Sequence, residues 1–133
     1  LAAGDFLPAL RAAAARGAAV FGECGGYMVL GRGLEDADGS RHAMAGLLGL
    51  ETSFARRRLH LGYRRAALVA DGPLGEAGSG WRGHEFHYAT VVAEQGAPLF
   101  AVADAAGASL GHAGMVEGRV AGSFVHLIDR TSP

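Results

Sequence analysis

Apolar positions along the chain come in short blocks split by glycine-rich breaks, and the period within each block decides its element. Over residues 6–16, Phe6, Leu7 and Leu10 lead into an alanine run, Pro8 falls in the first turn where its missing N–H is harmless, and Gly17 stops the segment. A helix is predicted there. Residues 18–21 form a continuous apolar run of the kind buried on both faces of a parallel sheet. The turn Gly22-Glu23-Cys24-Gly25-Gly26 follows, and Tyr27-Met28-Val29-Leu30 opens a second helix. Further on, residues 34–41 are acidic with an Asp38-Gly39 turn and are expected as a surface loop. Strands are expected at 47–52, at 59–69 (closed by turn residues at 71–75), at 84–93 and at 99–103, with a loop at 78–80. Residues 115–123 suit a hairpin around Gly118, and 124–130 suit the start of a short helix.

A helix–strand–helix front with a buried-type strand favours an α/β fold over an all-β one, and the strand-rich middle makes the sheet mixed. At 133 residues, with no Pro- or Ser-rich linker, the chain is the size of one domain. Half of the residues are apolar and 19% are charged, a globular composition. No apolar run approaches the roughly 18 residues of a membrane span, and residues 1–5 lack the basic head of a secretory leader, so a cytoplasmic protein is expected. A formal charge of −1 gives no reason to expect a nucleic acid or an anionic membrane as partner. The chain begins without methionine, already within helical sequence, and is expected to be a piece of a longer protein.

The absences in the composition are informative. All 12 cations are arginine, so neither a Walker-type phosphate loop nor Schiff-base chemistry is available, because both need an ammonium group. No asparagine is present, which removes a Cys-His-Asn triad. The single cysteine, Cys24, excludes an internal disulfide and a multi-cysteine zinc site.

Cys24 has its own signature. Gly22-Glu23-Cys24-Gly25-Gly26 fits G-x-nucleophile-x-G, in which a strained turn between strand and helix lifts the nucleophile above the sheet edge. Small flanking residues are needed because that turn crowds the backbone. A sulfur over a helix start is favoured as thiolate, and the N–H of Gly25 is the natural oxyanion donor. The plainer alternative is a small buried hydrophobe.

A thiolate that opens an amide needs a proton shuttle, for which His42, His60, His84, His87, His112 and His126 are the candidates. His126 follows a predicted strand, from where it could project toward the same sheet edge as Cys24. His84-Glu85-Phe86-His87 superficially matches a zinc helix, but its histidines are three apart; as a strand, alternation sends His84, Phe86 and Tyr88 to one face and Glu85 and His87 to the other. No metal site is expected, and a pocket wall or a Glu85–histidine contact is. Arg56-Arg57-Arg58 and Arg64-Arg65 read by default as a solvated face, or else as a surface for a polycarboxylate or a partner domain.

Four ordered segments, Gly22–Met28, Leu59–Arg64, Gly83–Tyr88 and Gly122–His126, together resemble the cobyrinic acid a,c-diamide synthase family in its C-terminal class I glutamine amidotransferase domain of the cobyrinate/cobyrate type. The resemblance covers nearly the whole chain. It implies a flavodoxin-like, mostly parallel sheet with antiparallel additions, lacking its first strands here, so that residues 1–133 are a partial glutaminase domain without the N-terminal ATP-binding synthetase domain. It also implies that Cys24 attacks the glutamine side-chain amide and that His126 shuttles protons. No cofactor belongs to this chain. In the complete enzyme, ATP and Mg2+ would activate the a and c carboxylates of cobyrinic or hydrogenobyrinic acid, and the released ammonia would amidate them. A homodimer stays compatible with the chain.

Two departures stand out. Class I glutaminases carry a glutamate two residues after the histidine, where this chain has Ile128. Glu85, Asp129 or a group from the missing domain would then orient His126, and Glu85 is the preferred candidate as orienter or pocket residue. The upstream glycine-rich loop that would give a second oxyanion N–H is also absent. The glutaminase domain of cobyric acid synthase, an unrelated cysteine hydrolase and a non-catalytic docking or redox α/β domain are the competing readings.

Overall fold

The computed structural model describes residues 3–131. Helix α1 (Ala3–Ala15) carries Pro8 within its first turns and packs Leu10 and Ala14 against the core. Strand β1 (Val20–Glu23) starts two residues later than the apolar run suggests. The reason lies in the helix end: Gly17 and Ala18 still donate to Ala14 and Ala13, and ladder bonding begins only when Val20 donates to Arg119. After the turn at Cys24 comes the short helix α2 (Gly25–Leu30), which buries Tyr27 and Leu30.

The expected loop at 34–41 is instead a small hairpin of β2 (Gly33–Glu35) and β3 (Arg41–Ala43). Its turn is held by Asp36, whose carboxylate accepts the N–H groups of Asp38 and Ser40. The turn chemistry was visible in the sequence, whereas three-residue strands leave too little alternation to detect. Next come β4 (Leu50–Ser53), β5 (His60–Leu68), β6 (Gly80–His87) and β7 (Thr90–Glu94). The single strand expected at 84–93 is therefore two, because the chain bends at Tyr88-Ala89, where the His87 ring bonds the Ala89 carbonyl. Strands β8 (Ala97–Ala103), β9 (Ser109–Glu117), β10 (Val120–Ser123) and β11 (Val125–Arg130) complete the chain. The hairpin around Gly118 is present as β9 and β10. The helix start expected at 124–130 is corrected to a strand: β11 pairs antiparallel with β6, and this ladder overrides the local preference.

Two sheets result, one of seven strands in the order β1-β10-β9-β8-β5-β6-β11 and one of four in the order β3-β2-β4-β7. The architecture is α/β with mixed sheets, as expected, but the mostly parallel sheet implied by the resemblance is corrected: the described ladders are mostly antiparallel. Parallel pairing is confined to β1–β10 and β2–β4; of the other described ladders, all antiparallel, β2–β3, β5–β6, β8–β9 and β9–β10 join sequence neighbours and β5–β8, β6–β11 and β4–β7 join strands distant in sequence. Tyr27, Leu30, Leu48, Leu50, Met115 and Phe124 form one core cluster between the sheets, and Leu68, Phe100 and Val102 lie in a second. Phe100 and Leu50 are fully buried, a burial that stabilises the fold by about 1.5–3 kcal/mol per side chain. No helix among the described residues is long and apolar enough to cross a membrane.

The seven-stranded sheet curls. Strands β10 and β11 lie near its opposite rims, yet only Phe124 separates them in sequence. The rim carrying β1 must therefore come round to face the rim carrying β11. Two contacts span this seam: Leu127 donates its N–H to the Glu23 carboxylate at 3.3 Å, and Cys24 Sγ lies 3.9 Å from the Phe86 carbonyl.

Candidate active site

Cys24 stands at the end of β1 with φ 54° and ψ −111°, and it is the one non-glycine residue with positive φ among those described. An L-residue is held there only when its surroundings impose it. They do so on both sides. The Cys24 N–H bonds the Ser123 carbonyl at 2.9 Å, its carbonyl accepts from Met28 at 3.2 Å, and β1 is locked to β10 with Glu23 opposite Ser123. Gly22 is required by close approach, because a Cβ there would stand 2.6 Å from the Gly26 carbonyl. Cys24 is the N-cap of α2 but its side chain makes no capping bond, so the half-buried sulfur is not spent on the helix. Gly25, exposed at the helix start, carries an N–H that precedes the first intrahelical bond. The strand–turn–helix elbow expected from the glycine pattern is what the chain forms.

The six histidines separate cleanly. His42 pairs with Asp36 on the small hairpin at 2.8 Å, and His112 is exposed on β9. Half-buried His60 stacks on buried His87, with ring centroids 4.5 Å apart. His84 and His126 sit opposite each other on β6 and β11 with rings stacked at 4.9 Å. The divergence of His84 from His87 expected from alternation holds. Connectivity keeps His126 near the elbow: it lies three residues beyond Ser123, a span of at most about 11 Å for extended chain. The bond from Leu127 to Glu23 ties the same strand to the residue preceding the cysteine.

Glu85 is placed elsewhere. It pairs with Val125 while His126 pairs with His84, so Glu85 and His126 point to opposite faces of the sheet. Both of its oxygens are engaged, one by Arg64 Nε and one by His87 Nε2, each at 3.0 Å. The hydrogen bond from His87 holds its carboxyl below the ordinary value, burial opposes this, and Arg64 adds to it. The second ring nitrogen of His87 lies 3.0 Å from the Ala89 carbonyl, so both ring nitrogens face acceptors. His87 also stacks on Phe124 at 3.9 Å, and Phe124 meets Tyr27 edge-on. His60 is held below its ordinary value, mainly by burial and then by the neighbouring His87. The Tyr27 hydroxyl, buried and bonded to Glu94, is pushed well above its usual range.

Sequence reasoning missed Glu23 and Ser123. Ser123 is fully buried, its carbonyl takes the Cys24 N–H, and its hydroxyl takes that of Val125. Glu23 had one signal, a carboxylate ending a buried strand. Arg56, Arg57 and Arg58 are exposed, as a solvated face requires, while Arg64 turns inward to Glu85. The open cleft of about 710 Å3 lined by Arg65, Trp81, Arg82 and Ser109 contains neither Cys24 nor His126.

Comparison with known proteins fits this geometry. The profile of the CobB/CobQ-like glutamine amidotransferase domain matches residues 1–132. The chain belongs to that family. It is 59% identical over 133 residues to a protein of a Sinorhizobium species named hydrogenobyrinate a,c-diamide synthase, with 96% of this chain and 29% of that protein covered. Proteins of the same name from Rhodobacter capsulatus and Brucella abortus are 62% identical over 109 residues and 57% identical over 132. These cover 82% and 96% of this chain, and 25% and 29% of the respective relatives. The chain thus spans less than a third of the length of the curated relatives it matches, and the mixed α/β fold is in keeping with a class I glutamine amidotransferase domain.

Proposed function

We propose that this amidotransferase domain hydrolyses glutamine through a thioester on Cys24 and supplies the ammonia to a longer ATP-dependent amidoligase. The supporting observation is the backbone of Cys24: an L-residue held at positive φ between strand and helix, with its sulfur uncommitted to capping. In this reading Sγ adds to the side-chain carboxamide carbon of glutamine and the Gly25 N–H receives the developing oxyanion. His126 takes the thiol proton and returns it to the departing nitrogen, so that ammonia leaves and a thioester remains. A water molecule deprotonated by His126 then splits the thioester, giving glutamate and the free thiol. The sum is glutamine plus water to glutamate plus ammonia. Glu85 forms the wall behind β6 and does not act on His126.

By similarity to the named relatives, the ammonia would amidate the a and c carboxylates of hydrogenobyrinic or cobyrinic acid in cobalamin biosynthesis. ATP and Mg2+ would activate those carboxylates. Their site does not fit the residues of this chain: there is no lysine, and Glu23 and Glu85 are committed to Leu127 and to Arg64 and His87. That chemistry is assigned to the rest of the longer protein. The test is glutamate release by the full-length protein and by its Cys24→Ser and His126→Ala variants. Both substitutions should abolish turnover, and an unchanged rate in either removes that residue from its role.

A further inference from the structure

We propose that His84 is the positioning residue for His126, and that it acts through the face of its ring where a carboxylate would act through a hydrogen bond. The proposal rests on the glutaminase reading given above. The two residues are directly opposed on β6 and β11, and their rings lie 4.9 Å apart at an interplanar angle of 6°. None of the ion pairs among the described residues includes His126, the position two residues on is Ile128, and Glu85 points to the other face. The orientation of the imidazole must come from something else. Rotation of a histidine ring about its second side-chain torsion is broad and poorly defined by itself. A parallel neighbour narrows it, because tilting either ring would drive one edge into the other.

The backbone makes that neighbour dependable. A Cβ at Gly83 would stand 2.3 Å from the His126 carbonyl, so β6 and β11 approach here more closely than a side chain allows. The Glu23–Leu127 bond holds β11 from the other side. Stacking differs from a carboxylate contact in one chemical respect. It fixes the ring plane but occupies neither ring nitrogen, so both stay available to exchange protons with thiol, leaving nitrogen and water.

The experiment uses the full-length protein with His84→Ala and His84→Phe, the second keeping a flat ring without nitrogen. His84→Ala should lower kcat for glutamate release by roughly tenfold or more with KM within about twofold, since a misplaced catalytic group costs up to about a hundredfold. His84→Phe should recover most of the loss. In histidine-labelled protein, the ring protons of His126 should carry an upfield shift from the stacked ring that is lost in His84→Ala and kept in His84→Phe. An unchanged kcat in His84→Ala overturns the proposal while leaving the glutaminase reading standing. So does a His84→Phe variant that keeps the shift but is as slow as His84→Ala. Failure of the wild-type protein to release glutamate removes that reading and this proposal together.

Discussion

Glu85 and His87, two positions apart on β6, meet at 3.0 Å between carboxylate oxygen and ring nitrogen, with Arg64 on the other oxygen at the same distance. This half-buried group makes the fold sensitive to acid. The Glu85 carboxyl is held below its ordinary value of 4.5, so its contribution is complete above that pH and is lost as pH falls through the lowered value in the folded protein. His60 is held below 6.5, so the unfolded chain takes up its proton first and stability erodes as pH falls below that point. The urea midpoint should be level above neutral pH and fall in two stages below it. His60→Phe should remove the upper stage. Glu85→Gln should remove the lower one, at a cost of about 1.5–3 kcal/mol at neutral pH, the range for a hydrogen bond to a charged group. A midpoint that does not move between pH 7 and pH 4 contradicts this account.

The positive φ of Cys24 gives an unusual mutational ordering. Replacing a residue by glycine ordinarily destabilises, but at φ 54° glycine is the unstrained choice. Cys24→Gly should therefore be more stable than Cys24→Ala by about 1 kcal/mol, the lower end of the usual cost of a strained backbone. Both should be inactive. Thermal melts of the two variants check it, and the opposite order would show that the elbow is not strained.

Gly22→Ala should be far more damaging than its size suggests. The added methyl would sit 2.6 Å from the Gly26 carbonyl, a backbone atom that cannot swing away. Overpacking of this kind costs about 1–3 kcal/mol, and here it also displaces the start of α2 that carries Gly25. Melting temperature and glutamate release should fall together.

Glu23→Gln and Glu23→Ala probe the seam. Glutamine keeps an acceptor for the Leu127 N–H, whereas alanine leaves none. Glu23→Ala should lose about 1.5–3 kcal/mol, the range for a hydrogen bond to a charged group. It should lose kcat as well, with Glu23→Gln intermediate in both. Equal behaviour of the two variants would mean that the carboxylate contact does not hold the strands.

Much of this was legible in the sequence where a local pattern carries its own reason. The turn around Cys24 was readable because Gly22 answers to a steric demand within a few residues, although Gly25 and Gly26 have open space where a Cβ would stand, and the split of His84 from His87 because a strand alternates. The Glu85–histidine contact expected from the sequence is present, with His87, but the second partner was not readable: it depends on β5 lying beside β6, which brings Arg64 across a gap of twenty residues. The strand at 125–130 was read as helical because its ladder partner, β6, lies some forty residues upstream. The bend at Tyr88-Ala89, which sends β6 and β7 to different sheets, turns on a histidine reaching back to its own chain, a contact with no periodic signature.

The curl of the large sheet sets a condition on the proposed catalysis. Ladder bonds run within each flank, but where the flanks meet, the join beside the sulfur is a side-chain latch with no main-chain zip. In the proposed glutaminase reading, the spacing of Cys24 and His126 would rest on three local ties, the Phe124 link, the Glu23 carboxylate on Leu127 and the Cys24–Phe86 contact, and not on a continuous strand ladder.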